Sequence, residues 1–370
     1  MKRTIMLAAV MLAASISLSN CVQASAEEAP RVKNIIYMIG DGMGLAHVSM
    51  LEIEERFTPT AFDRAQNIAL ISTYSANNRV TDSAASGTAL ATGTKTNNSY
   101  LGVDPDGNPL ESIIAKAQKA GLATGLVVTS TILHATPGAF YAHVDNRNYE
   151  EQIAADLLQS DIDVVIGGGR DILKNKPDEG GSFAERLAGK GYTVVEELAE
   201  ADDIHEGKLI GICGDHHMVS MLNGRGDYLK QATEKALEIL SANAAKSGKG
   251  LILMVEGSQI DMEAHSNNSE GILAEMRDFE RAVGAAMDFA DRNPGTLVVV
   301  CADHETSGMS IPSNKKDFTE SESGIKYVYG TGSHTGIHVP VYLYGTGAEL
   351  INGIMDNTDL SRRLQEILLN

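Results

Sequence analysis

A chain of 370 residues with a formal net charge of −19 and a pI near 4.9 lacks the basic face that nucleic-acid binding requires. The same acidic field repels anionic substrates, unless bound divalent cations reverse it locally. Hydrophobic residues make up 43% of the chain, but aromatics are only 5% and tryptophan is absent, so Leu, Ile, Val, Met and Ala have to build the core.

Lys2 and Arg3 precede a short apolar run, Ile5 to Leu18, followed by Val22-Gln23-Ala24. Residues 1–24 therefore read as a signal peptide, which directs an exported protein, periplasmic or secreted. The run is too short to cross a bilayer comfortably and no other run is longer, so no membrane span is expected. Asn20 is a poor neighbour for lipid attachment at Cys21. Cys213 and Cys301 end apolar runs far apart in sequence. Buried thiols are expected there, with a single disulfide as the alternative.

Residues 30–370 read as one α/β domain. Val32 to Ile39 is a nearly continuous apolar run, the pattern of a buried parallel strand, and it ends at Gly40-Asp41-Gly42-Met43-Gly44. A second strand is expected over 67–74. Arg79 to Ala89 reads as a polar turn entering a helix, with Asp82 or Ser83 as N-cap and an end near Gly93. A helix over 110–120, a strand over 123–129, a helix over 149–159 and a strand over 162–166 follow. Next come a helix from 183, a strand at 193–195, an acidic loop over 196–206 and a strand over 209–213. Leu229, Ala236 and Leu240 mark an amphipathic helix, and Leu251 to Val255 is a strand ending at Glu256-Gly257. Ile272, Met276, Phe279, Val283 and Met287 recur every three or four residues, which predicts a helix. A strand over 297–301 ends at Ala302-Asp303-His304. Residues 305–333 form a polar, Gly/Ser-rich accessory segment, and a strand over 338–344 and a helix over 360–369 close the chain.

This alternation predicts a three-layer α/β/α sandwich with a central, mostly parallel sheet. In such sheets, ligand groups collect beyond the carboxyl ends of the strands, where Asp41, Glu256 and Asp303-His304 fall. Asp261 and His265 are four apart, so one helical turn brings them to one face. His334, between Gly332 and Gly336, lies in a flexible loop that can fold back. Carboxylates with neutral imidazoles suit zinc, and oxygen-only sets suit magnesium. Singly, each of these seven reads equally well as a cap, a turn residue or a solvated charge; together they read as a metal site. Ser83, at a helix start, sits where backbone N–H groups and the helix dipole favour an anion, although a capped helix with alanine packing explains the stretch by itself. His47, His143, His205, His216, His217 and His338 have no comparable setting and read as structural or exposed.

Ile39 to Gly44, Thr81 to Ala89, Ala135-Thr136-Pro137, His143 to Arg147, Val255 through His265, Ala302-Asp303-His304 and His334-Thr335-Gly336, taken in order, resemble the alkaline phosphatases. The resemblance runs from about residue 32 to the C-terminus. It implies an exported phosphomonoesterase with two zinc ions and one magnesium ion, acting on small phosphomonoesters and releasing inorganic phosphate. Ser83 would be the nucleophile and form a phosphoserine. Asp41, Asp303 and His304 would hold the zinc that activates its hydroxyl. Asp261, His265 and His334 would hold the second zinc, which stabilises the leaving oxygen and then supplies hydroxide. Asp41, Thr136 and Glu256 would hold magnesium, and Arg147 would clamp two phosphate oxygens.

The chemistry is consistent with those roles. Metal coordination activates a serine hydroxyl, and two metals about 4 Å apart can hold both oxygens of an in-line displacement. Arginine's planar fork matches a phosphoryl group. Two positions depart from the family pattern. His134 stands where some members carry an aspartate near the magnesium, so it would loosen that ion or invite a third zinc. Met262 follows Asp261 where many members carry a basic or aromatic side chain, so a contact near phosphate would be missing. The brief 305–333 segment leaves the dimer contacts of longer members in doubt and a homodimer open. Two other readings remain: a phosphodiesterase or sulfatase-like relative sharing the metal core, and a non-enzymatic exported metal- or phosphate-binding protein. Asp82-Ser83-Ala84 and Arg147 favour the monoesterase, because a dianionic terminal phosphate needs a cationic clamp.

Overall fold

The apolar runs do become strands. In the computed structural model, which describes residues 31–173, 181–312 and 327–369, they are β1 (Asn34–Gly40), β2 (Asn67–Ser72), β3 (Ala123–Thr131), β4 (Val164–Gly168), β5 (Tyr192–Val195), β6 (Lys208–Gly214), β7 (Leu251–Gly257) and β8 (Thr296–Cys301). Two short strands, β9 (Glu305–Thr306) and β10 (His334–Thr335), precede β11 (Val339–Gly345) and β12 (Gly353–Asp356). The expected signal peptide over 1–24, Cys21 and the middle of the 305–333 segment lie outside the described residues.

Ten strands make one sheet in the order β12-β2-β11-β8-β1-β7-β3-β4-β6-β5. Every pairing is parallel except those of β11, which runs against both β8 and β2. The central strands are buried along their length: all nine residues of β3, all seven of β7 and all six of β8. Strands covered on both faces need apolar side chains at successive positions, not alternate ones. Helices Tyr228–Ser247 and Ser269–Arg292 pack on one face, and Ile113–Lys119 and Asn357–Leu369 on the other, which completes the α/β/α sandwich.

Helix Ser269–Arg292 buries Ile272, Met276, Phe279, Val283 and Met287, the periodic residues that predicted it. Glu275 and Asp278 lie on the same buried face. Arg225 meets both, 2.8 Å from Asp278 and in a close bond with Glu275, so neither charge is stranded in the core.

Several boundaries differ from the sequence reading. The helix expected from 110 starts at Ile113, because Ser112 caps it by accepting from the Ala115 N–H at 3.1 Å. The acidic stretch at 196–206 contains a 3-10 turn over Leu198–Ala201. Helix Leu45–Glu54 and edge strand β12 carried no clear periodicity. The helix has no side-chain cap at Gly44, and β12 exposes Ile354 at 73%. Cys213 and Cys301 are free, buried thiols, and no disulfide joins them. Among the described residues, no helix is long and apolar enough to cross a membrane.

The sheet order matters most for function. Strands β8, β1, β7 and β3 are neighbours, and their carboxyl ends lead into Asp303-His304, Asp41, Glu256 and His134 at one edge.

Candidate metal centre

Ser83 opens helix Ser83–Thr92. The N-cap is Asp82, whose side chain accepts from the Ala85 N–H at 2.9 Å, and Gly93 closes the helix in the left-handed region. The whole helix is buried. Gly87 permits this packing, since a Cβ there would lie 3.2 Å from that of Ala139. The Ser83 hydroxyl lies 3.3 Å from His304 Nε2.

Around it, three groups bring candidate ligand atoms within 4.8 Å of one another: Asp41 with Asp303 and His304, Asp261 with His304 and His334, and Asp41 with His134 and Glu256. His304 Nε2 is 3.2 Å from Asp303 and 3.6 Å from Asp41. The spacing of Asp261 and His265 does give one helical turn, in Gln259–His265, with His265 Nε2 3.1 Å from Asp261. His334 Nε2 lies 3.6 Å from Asp261 and 3.1 Å from His265 Nε2. The groups are less separate than the resemblance implied. His304 stacks on His334 with ring centroids 3.6 Å apart, so its imidazole borders two groups at once. His334 does not sit in a free loop; β10 pairs antiparallel with Glu305–Thr306.

Hydrogen bonds at the far side of each ring fix which nitrogen faces inward. His334 Nδ1 donates to the Thr81 carbonyl and His265 Nδ1 to the Gly332 carbonyl, each at 2.9 Å. The Thr306 hydroxyl donates to Asp261 in a short bond, so its oxygen accepts from His304 Nδ1 at 3.2 Å. Each Nε2 is then left with its lone pair pointing into the site, the arrangement that outer hydrogen bonds impose on metal-ligating histidines. Two lone pairs 3.1 Å apart on His265 and His334 repel unless a cation lies with them. That cation is either a metal ion or a proton on His265, whose pKa is pushed up to about 9 by its bond to Asp261.

The buried carboxylates show the same lack of positive charge. Burial, then the charges of Asp303, Asp261 and Glu256, raises Asp41 well above the usual carboxylate range. Burial lifts Glu256 to about 7, and burial with the charge of Asp261 lifts Asp303 to about 6. Burial opposes ionisation of Asp261 too, but its bond to His265 and the nearby histidines outweigh that and lower its pKa. Both oxygens of Asp41, Oε1 of Glu256, the Thr136 hydroxyl and His134 Nδ1 are buried without hydrogen-bond partners. Such groups are costly to bury unless a cation satisfies them, so the residues fit divalent metals.

Arg147 joins the same open cleft, of about 810 Å³, which Ser83, His134, His217, Met262 and Asn98 also line. Its guanidinium lies 3.3 Å from His134 Nε2 and 3.5 Å from Asp82.

Other residues matter here that sequence reasoning passed over. Gly42 adopts φ +72°, and a Cβ would come within 2.8 Å of Asp261 and of Thr306; its N–H donates to Asp303 at 3.1 Å. The glycine-flanked Asp41 was the available signal. His217, read as structural or exposed, is in the cleft wall, where its Nδ1 accepts from the Thr131 N–H at 3.1 Å. His47 is structural: buried, it accepts from the Gly44 N–H at 2.9 Å.

The alkaline phosphatase family model matches residues 32–324. Alkaline phosphatase 4 of Bacillus subtilis is 30% identical, over 99% of this chain and 95% of its own length. Among solved structures, the alkaline phosphatase of the Antarctic bacterium TAB5 is 35% identical with a TM-score of 0.85, covering 91% of this chain and 98% of its own. A variant of the TAB5 enzyme with a histidine replaced by aspartate has Mg bound in its M3 site. It is 34% identical with a TM-score of 0.84, covering 92% of this chain and 99% of its own.

Proposed function

The chain belongs to the alkaline phosphatase family and is a phosphatase, and from that premise we propose that it hydrolyses small phosphate monoesters through a phosphoserine on Ser83. The observation that carries this is the convergence of three candidate ligand groups beside one helix-initial hydroxyl, in a cleft that also holds an arginine. Asp41, Asp303 and His304 would hold one zinc ion next to Ser83. Asp261, His265 and His334 would hold a second. Asp41, Thr136 and Glu256, with His134 beside them, would hold magnesium; the magnesium in the TAB5 variant supports a third ion, and an imidazole in the set would also admit zinc. When bound, these ions supply the positive charge that activates a hydroxyl or water and offsets charge developing on the phosphate.

The chain's own residues do the rest. Ser83 gives up its hydroxyl proton to water and its oxygen bonds to phosphorus as the P–O bond to the substrate alcohol breaks, the departing alkoxide taking a proton from water. A water molecule then attacks phosphorus, breaks the bond to Oγ and leaves inorganic phosphate and the reprotonated serine. Arg147 turns two N–H donors on the phosphoryl oxygens and orients them. Buried His304 positions the hydroxyl through Nε2, 3.3 Å away. Residues 1–24 serve as the export signal and 30–370 as the catalytic domain.

Metal analysis with assays of p-nitrophenyl phosphate, its bis-ester and its sulfate tests this reading. Monoester turnover should vanish on chelation and return with zinc and magnesium. Faster hydrolysis of the bis-ester or the sulfate, or turnover indifferent to chelator, would overturn it.

A further inference from the structure

His134 precedes the short helix Ala135–Gly138 at the end of β3. Its two ring nitrogens have different surroundings. Nε2 is 3.3 Å from an Arg147 guanidinium nitrogen, whereas Nδ1 is buried with no hydrogen-bond partner. One nitrogen of this ring lies within 4.8 Å of carboxylate oxygens of both Asp41 and Glu256.

A guanidinium only donates, so Nε2 must carry the lone pair in this arrangement. A neutral imidazole has one lone pair and one N–H, which puts the proton on Nδ1. Ligation of a metal through Nδ1 needs the opposite tautomer, with its lone pair on Nδ1 and its N–H on Nε2. That N–H would then face an N–H of Arg147, donor against donor. One ring cannot serve both partners.

We propose that His134 is a tautomeric switch: it either accepts a hydrogen bond from Arg147 or ligates the ion in the Asp41–Glu256 site, and filling that site releases Arg147 into the cleft. This rests on the reading of that site as a metal site. A carboxylate at position 134 would behave differently, because one oxygen could bind the ion while the other accepted from Arg147. Linkage makes the coupling reciprocal. A phosphate that draws Arg147 off His134 frees Nε2 to take a proton from cleft water while the Nδ1 proton is given up to water, which opens Nδ1 to the metal, so phosphate and the third ion strengthen each other's binding.

The test titrates magnesium into enzyme loaded with two zinc ions per chain and carrying 15N-labelled histidine. His134 Nε2 should be unprotonated before magnesium and protonated after it, and a crystal structure with magnesium should show Arg147 beyond hydrogen-bond distance of His134. In parallel, magnesium should tighten binding of inorganic phosphate about fivefold more in the wild-type enzyme than in His134→Asp, a coupling of ordinary allosteric size. An unmoved tautomer with magnesium bound, or an intact Arg147–His134 contact beside a ligated ring, overturns the switch alone. Metal analysis that finds only two ions at saturating magnesium and zinc overturns the third-site reading as well.

Discussion

Glu256 is the sharpest place to perturb the electrostatics, because its replacement by glutamine should have opposite effects with and without metal. The side chain is fully buried in β7, with Oε2 accepting from Ser258 at 2.7 Å and Oε1 without a partner. Burial lifts its pKa from an ordinary 4.5 to about 7. The folded, metal-free protein therefore holds a proton that the unfolded chain releases. Its contribution to stability is complete below about pH 4.5 and is lost as pH rises through 7. The loss is on the order of 3 kcal/mol, at 1.36 kcal/mol for each tenfold. Glu256→Gln cannot ionise and escapes it. Removing the Glu256 charge also eases ionisation of buried Asp41, which that charge raises, so this neighbour adds to the variant's advantage at high pH instead of offsetting it. After exhaustive chelation, the two proteins should melt together near about pH 5, and the variant should melt roughly 6 °C higher near about pH 8. Added magnesium should then raise the wild-type midpoint and leave the variant behind. Thermal melts at the two pH values, with and without metal, read all four states. A gap independent of pH, or equal gains from magnesium in both proteins, would refute the reasoning.

Further substitutions follow from the same geometry. Arg147→Ala removes two charge-assisted donors from the cleft, so kcat/KM for p-nitrophenyl phosphate should fall about a hundredfold. Inhibition by inorganic phosphate should weaken with it; unchanged inhibition would place the clamp elsewhere. His134→Asp adds an oxygen ligand beside Asp41 and Glu256, and magnesium dependence should rise, with reactivation after chelation shifting about tenfold in a magnesium titration. An identical titration counts against the assignment. Gly42→Ala forces a Cβ against Asp261 and Thr306 at φ +72°, a strain of about 1–3 kcal/mol. Zinc content and turnover should both drop while circular dichroism stays native, and full zinc retention would contradict the role given to this turn.

Much of the fold was legible because burial on both faces leaves a plain mark. The apolar runs of β1, β3, β7 and β8 needed no partner to be recognised, and neither did the stripe from Ile272 to Met287. Asp41, Asp303 and His304 stood out because a charged residue directly after such a run must leave the sheet at its ligand-binding edge. Other features depend on contacts that no local pattern records. His217 reaches the cleft because the Met218 N–H donates to the Thr129 carbonyl at 3.0 Å, laying the chain after β6 across the end of β3. His334 is held by the backbone ladder between β9 and β10 and by the Thr81 carbonyl, partners more than twenty residues away. The double position of His304 follows from its stacking on His334 and its bond to Thr306, whereas strand-end reasoning placed it only at the ligand edge and the family resemblance assigned it to one group.

The most direct test is to quench the zinc- and magnesium-loaded enzyme with acid during turnover of a phosphomonoester and map covalent phosphate by mass spectrometry. A single adduct is expected on the peptide that contains Ser83, lost in Ser83→Ala and after chelation. Steady turnover with no adduct there, or with phosphate on another residue, would contradict a phosphoserine on Ser83.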